Sequence, residues 1–307
     1  MAGIVLAILA SVGVGVGAER RWGHAAHDVT RRVLDAMLYV LLPFAAFFSI
    51  AGLRITSGVG AGLLFGYAEL AIVTTVAWLV GTRVLRLPRP STGALMCGVA
   101  LANTGYLGVP VAAAALGRGQ VGPAIAFDAI VSGPMLYVVG FAIGATFGTR
   151  GEGAGAGARV RAFLTRNPPL LAVVAGLLAP SWLAPQGLVD LAHAIVIAMI
   201  VPGFFALGVN LMEEREDGVL AFPPPITRPL AVALVLRLLA APALLLLAAA
   251  LIVDVPDAYK LAAAAPSGIN GLIVAHAYGL DLRLAAGTIA WSTAIFVTAA
   301  LAVTVMT

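Results

Sequence analysis

Charge is scarce in this sequence. Only 10% of its 307 residues are Asp, Glu, Lys or Arg, where a soluble domain carries about 25% to cover its surface. With 61% hydrophobic residues and a mean hydropathy of +1.04, the outer surface must be largely apolar, and lipid is the solvent that tolerates it. Cysteine is nearly missing. Cys97 stands alone, which excludes a disulfide framework and a thiolate metal cluster. Four scattered histidines supply no spaced ligand set. There is also no nucleophile elbow, persuasive carboxylate pair or metal motif, so no enzyme activity, metal or cofactor is expected. No basic residue precedes the first apolar run, Ile4 to Val16, which argues against a signal peptide and for a first membrane helix with its N-terminus outside. The net charge of +4 comes from arginines at the edges of apolar runs, so nucleic acid is not an expected partner.

What the sequence has in abundance is apolar segments. Hydropathy divides it into ten, at 2–18, 33–52, 59–82, 91–116, 121–148, 168–184, 189–211, 228–253, 257–278 and 284–306. Each is long enough to cross a hydrocarbon core of about 30 Å at roughly 1.5 Å per residue. The 35 glycines and 18 prolines fit membrane helices better than soluble ones. The expected fold is therefore an all-α polytopic membrane protein surrounded by lipid. Charge bias orients it. With the N-terminus outside, the inner loops hold Arg20, Arg21, Arg31, Arg32, Arg83, Arg86, Arg89, Arg150, Arg159, Arg161, Arg166, Arg215, Arg228 and Arg283, against Arg54, Arg118 and Lys260 outside. That asymmetry predicts a multi-pass protein of the cytoplasmic membrane with both termini outside.

The stretch 149–167, TRGEGAGAGARVRAFLTRN, reads as a flexible cytoplasmic linker. It lacks the lysine, spacing and strand of a phosphate-binding loop. The linker separates a first unit, 1–148, from a second, 168–307, each with five spans. Five is odd, so the units run in opposite directions. LPFAAFFSIAGL from Leu42 resembles VPGFFALGVNL from Val201, and a shift of 162 residues places Leu116–Gly117 on Tyr278–Gly279. The same shift sets Asn103, Thr104 and Gly105 opposite Ala265, Pro266 and Ser267. An inverted repeat of this kind gives one chain two states of similar energy.

The fourth and ninth segments carry the strangest local sequence. ALANTGYLGVP, Ala100 to Pro110, and AAPSGINGL, Ala264 to Leu272, are poor continuous helices. Gly108, Pro110, Pro266, Gly268 and Gly271 are the expected helix breakers. A break frees backbone groups that must be covered by protein or line a polar cavity. Half-helix N-termini favour an anion, so Asn103, Thr104, Gly105, Pro110, Pro266, Ser267 and Asn270 are the candidate substrate-binding residues. Asp128 reads two ways, as a proton or cation coupling group or as a structural hydrogen-bond acceptor. Ser292 and Thr293 return hydroxyls to their own helix, or support the broken ninth segment or a cation. Glu69 and Arg237 pair or serve separate roles, and His276 reads as a local contact. The coupling ion, if one is used, is H+ or Na+.

These motifs, LPFAAFFSIAGL at 42–53, LANTGYLGVP at 101–110, NPPLLAVVAGLL at 167–178, VPGFFALGVNL at 201–211, APSGINGLIVAHAYG at 265–279 and AAGTIAWST at 285–293, resemble the auxin efflux carrier family. The likeness is to its bacterial branch, which is related in fold to bile-acid/sodium symporters. The resemblance implies ten helices in two inverted five-helix repeats, with helices 4 and 9 broken and crossing. It also implies a scaffold of spans 1, 2, 6 and 7, a mobile transport domain of spans 3–5 and 8–10, an elevator mechanism and a homodimer. The implied substrates are small organic anions, mono- or dicarboxylates. Asn103 matches the family's substrate-contacting asparagine, and Pro110 and Pro266 its crossover prolines. A short central linker in place of the long loop of the plant carriers makes auxin itself a doubtful substrate. The alternative is a non-transporting receptor or structural protein on a carrier-like fold.

Overall fold

The structure, a computed structural model, describes residues 2–51, 56–149, 168–216 and 223–306. Of the linker expected at 149–167, only Thr149 falls among them; the rest lies outside the described residues. The described residues are overwhelmingly helical and contain no strand, as lipid demands of a chain that must close its own backbone hydrogen bonds. In chain order the helices are α1 (Ala2–Trp22), α2 (His24–Ala51), α3 (Ser57–Val84), α4 (Arg89–Ala100), α5 (Thr104–Leu116), α6 (121–147) and α7 (Pro168–Leu178). They continue with α8 (Gln186–Ala198), α9 (Ile200–Glu216), α10 (Arg228–Leu251), α11 (Asp257–Ala263), α12 (Asn270–Tyr278) and α13 (Leu282–Met306). Among the described residues, five helical runs, His24–Ala51, Ser57–Val84, Gln186–Asn210, Arg228–Leu251 and Leu282–Ala299, are long and apolar enough to cross a membrane. Leu64, Leu178 and Leu251 point outward at 69%, 80% and 75% exposure, a surface suited to lipid.

One boundary differs from the sequence reading. The segment between the first two apolar runs is helical, and α1 and α2 are separated by Gly23 alone, at φ +46°. Residues 24–36 bury Ala26 and Thr30 on one side while Asp28, Arg31 and Arg32 remain exposed on the other. An amphipathic helix therefore extends the second apolar run, and hydropathy, which averages over both faces, reads it as a loop.

The densest helix packing falls in two groups, which a buried apolar cluster including Ala45, Ile50, Ala112, Val121, Ala192 and Val196 joins to each other. α1 lies along α9, and α7 along α2. The first contact depends on glycine: a Cβ on Gly15 would sit 2.3 Å from the Phe205 carbonyl oxygen, and one on Gly208 2.3 Å from that of Val12. In the second, a Cβ on Gly176 would fall 2.8 Å from the Phe47 carbonyl oxygen. Such close backbone approach is how membrane helices gain packing where lipid supplies no hydrophobic drive. Gly15→Leu is expected to destabilise the protein by about 1–3 kcal/mol or more, whereas Gly13→Leu, with open space beside it, is expected to be neutral. Thermal unfolding in detergent checks the pair; equal stability of both variants would contradict the packing.

The second group comprises α3–α6 and α10–α13, which share a continuous apolar core including Leu70, Val73, Leu95, Phe127, Leu245 and Tyr259. Polar contacts tie its two ends. At one, Ser91 Oγ donates to Asp281 Oδ2 at 2.7 Å, Arg89 donates to the Thr146 carbonyl, and Thr149 Oγ1 donates to that of Gly279 at 3.0 Å. At the other, Gln120 Oε1 accepts the Ala258 amide at 3.1 Å.

Candidate functional site

Both unusual segments interrupt their helices. α4 stops at Ala100 and α5 starts at Thr104; α11 stops at Ala263 and α12 starts at Asn270. The freed backbone groups find each other. The Gly268 amide donates to the Leu101 carbonyl at 2.6 Å and the Asn103 amide to the Pro266 carbonyl at 2.8 Å, forming a short antiparallel bridge centred on Ala102 and Ser267. Gly268 suits this close approach, since a Cβ there would lie 3.1 Å from both the carbon and the oxygen of the Ala102 carbonyl. The bridge pairs Leu101 with Gly268 and Asn103 with Pro266, so exchanging 101 with 266 and 103 with 268 reproduces it, an offset of 165 residues. The 162-residue shift seen in sequence does not hold at this point. The second break spans six residues, 264–269, against three in the first, 101–103, and the extra three move the register.

Pro110 acts differently from the expectation of a break at its own position. It lies inside α5, at the start of the regular 109–116 stretch and directly after a wide turn that lets the helix continue past it. Before it, residues 104–108 form a wide π-type turn in which the Gly108 amide reaches the Asn103 carbonyl at 3.0 Å. Similar wide turns occur at 128–132 and 236–240. These hold Asp128 and Arg237; further wide turns, at 37–41, 80–84 and 135–140, hold no candidate site residue.

A cavity of about 100 Å³ lies against the crossover. Its walls include Asn103, Gly105 and Asn270 from the two breaks, Tyr106, and Asp128 and Ser132 from α6. Thr104 turns away from the wall and donates its hydroxyl to Asp128 Oδ1 at 2.6 Å. Gly105 makes room for that carboxylate: a Cβ would sit 3.0 Å from each of its oxygens. Ser132 Oγ is buried and takes no hydrogen-bond partner among the described residues. Pro110, Pro266 and Ser267 fall outside the cavity wall. Ser267 is wholly buried, with its hydroxyl donating to the Gly98 carbonyl at 2.5 Å and its amide to Ser292 Oγ at 3.1 Å. Ser292 also donates to the Ile289 carbonyl at 3.3 Å, so it props the second break and bonds its own helix at once. Thr293 is buried beside it in sequence, its hydroxyl without a partner among the described residues. Gly271 meets only the Cys97 carbonyl oxygen, 3.9 Å from where a Cβ would be. His276 Nδ1 lies 3.3 Å from the Leu272 carbonyl, one turn back.

Arg237 has a larger part than the sequence suggested. It is fully buried on α10, and its guanidinium donates to the Ala265 carbonyl at 2.9 Å, the Val99 carbonyl at 3.2 Å and the Ala263 carbonyl. One side chain thus satisfies orphan carbonyls at the ends of both broken helices. Glu69, 2% exposed on α3, lies within electrostatic reach of it, its carboxylate unbonded among the described residues.

The crossover cavity shares Leu38, Tyr106, Leu136 and Asn270 with a vestibule of about 780 Å³ bounded by His27, Arg31, Glu213 and His276. A separate cavity of about 630 Å³ at the opposite end is lined by Arg118, His193 and Asp254. There a hydrogen bond and the charge of Lys260 hold the Asp254 carboxyl below its usual range. No protein-family model and no curated protein matches the chain. The chemistry of the crossover therefore carries the functional reading.

Proposed function

We propose that the protein is a secondary carrier for a small organic anion, built like the auxin efflux carriers and working by alternating access. The observation that carries the reading is the pair of helix breaks, hydrogen-bonded to each other inside the molecule with Asn103 and Asn270 facing one cavity. Half-helices beginning at Thr104 and Asn270 turn backbone amides toward that region, where a carboxylate gains from the dipole and from two side-chain amides. Ten spans in two inverted five-helix repeats account for the packing. Exchanging the halves turns the α1–α9 contact into the α7–α2 contact, and Gly15 and Gly176 occupy similar places in them. α1, α2, α7, α8 and α9 form the fixed scaffold, and α3–α6 with α10–α13 the moving part. Both termini lie outside, the Arg31 vestibule faces the cytoplasm, and two copies assemble through their scaffolds.

Reconstitution into liposomes with labelled malate, malonate and indole acetate tests this. Saturable flux of at least one is expected; saturable binding without flux would make the protein a receptor instead.

Asp128 bears on energy coupling. A carboxylate in the wall of an anion site repels the substrate unless a cation or a proton enters with it. Asp128→Asn is therefore expected to lose the dependence of uptake on an imposed pH gradient while retaining downhill exchange. Gradient dependence equal to wild type would remove Asp128 from coupling and leave it as the partner of Thr104.

A further inference from the structure

An ion pair joins the two helix groups at the end opposite the vestibule. Arg118 Nη1 lies 2.5 Å from Asp190 Oδ1, and Gln186 Nε2 donates to the same oxygen at 2.9 Å. Arg118 sits in the short connection between α5 and α6, which turns at Gly117 with φ +83°. Gln120, two residues on, is bonded to Ala258, so this loop is anchored to α11. Asp190 belongs to α8, which packs on α2. By contrast, the polar contacts of Arg89, Ser91, Arg237 and Ser267 stay within one group and the 3.0 Å His27–Glu213 pair within the other.

We propose that Arg118 and Asp190 form an outer latch that favours the conformation in which the crossover cavity adjoins the Arg31 vestibule. The inference rests on the two-group carrier reading. To turn the cavity toward the other end, the α5–α6 loop must leave α8, and this pair must part. Its side chains are 52% and 44% exposed, so water screens it and it biases the equilibrium without locking it. Loss of the pair shifts the populations about 2- to 5-fold.

Spin labels at Gly60→Cys on α3 and Gly187→Cys on α8, both with open space beside them, in a Cys97→Ala background, report the separation of the two groups at the outer end. Pulsed distance measurements in liposomes are expected to show the minor population rising about 2- to 5-fold in Arg118→Ala and in Asp190→Ala. The exchanged pair, Arg118→Asp with Asp190→Arg, is expected to restore the wild-type distribution. A distribution that responds to added malate or a pH gradient but not to either alanine variant overturns the latch and leaves alternation standing. A distribution that neither the variants nor malate nor the gradient moves overturns both.

Discussion

Arg237→Met is expected to be the most damaging single substitution in the molecule, lowering stability by about 3–5 kcal/mol and the unfolding temperature in detergent by roughly 10 °C. An ordinary hydrogen bond between membrane helices is worth only about 0.6 kcal/mol on average, so three of them would not explain such a loss. The larger part comes from what remains behind. The carbonyls of Val99, Ala263 and Ala265 lose a charged donor, and each buried unsatisfied acceptor costs about 1–3 kcal/mol. Glu69 also keeps its carboxylate without the nearby cation. Glu69→Gln should cost less, because it removes a charge without freeing a carbonyl. The double variant Glu69→Gln with Arg237→Met should recover part of the single Arg237 loss but not all, since the three carbonyls stay bare. Thermal unfolding of the four proteins closes the cycle. Full recovery in the double variant would mean that Arg237 serves only as a counter-charge and does not clamp the crossover.

Asn103→Ala is expected to weaken binding of a transported carboxylate about 5- to 150-fold, the equivalent of roughly 1–3 kcal/mol, with little change in unfolding temperature. The structure separates the two effects. The crossover uses the backbone of Asn103, its amide on Pro266 and its carbonyl under Gly108, and alanine keeps both. Only the side chain that lines the cavity is lost. Asn103→Asp should bind more weakly still, because it sets a second carboxylate in a cavity that already holds Asp128. Calorimetry on folded protein measures all three. Wild-type affinity in both variants would remove Asn103 from the substrate site.

The positions of the breaks were legible because Gly, Pro and Asn leave a mark in sequence wherever a helix fails. So was the membrane-embedded character, which composition alone carries. The partners of Arg237 were not legible. They are main-chain carbonyls, and a carbonyl has no sequence signature; an arginine alone in the apolar stretch LVLRLLA signals that something pairs with it without saying what. Pro266 was placed at the substrate as a crossover proline and Ser267 for its hydroxyl, yet neither lines the cavity, and the Ser267 hydroxyl is taken by the Gly98 carbonyl. Ser132 was not singled out. It sits four residues after Asp128 on the same helix and shares its cavity, but a lone serine in FDAIVSGP gives no local signal. The helical continuation from His24 was masked by averaging over polar and apolar faces, and the three-residue slip at the crossover by the unequal lengths of the two breaks.

The central claim is that one cavity at the crossover is reached from each side of the membrane in turn. The native Cys97 is buried, so Ser132→Cys in a Cys97→Ala background gives a reporter in the cavity wall. Its reaction with a membrane-impermeant maleimide, added to right-side-out or inside-out vesicles under opposing malate or pH gradients, reads access directly. Labelling from the cytoplasmic side under one gradient and from the outer side under the reverse gradient is predicted, with malate slowing both. Labelling from one side whatever the gradient, or from both sides at once, would contradict alternating access.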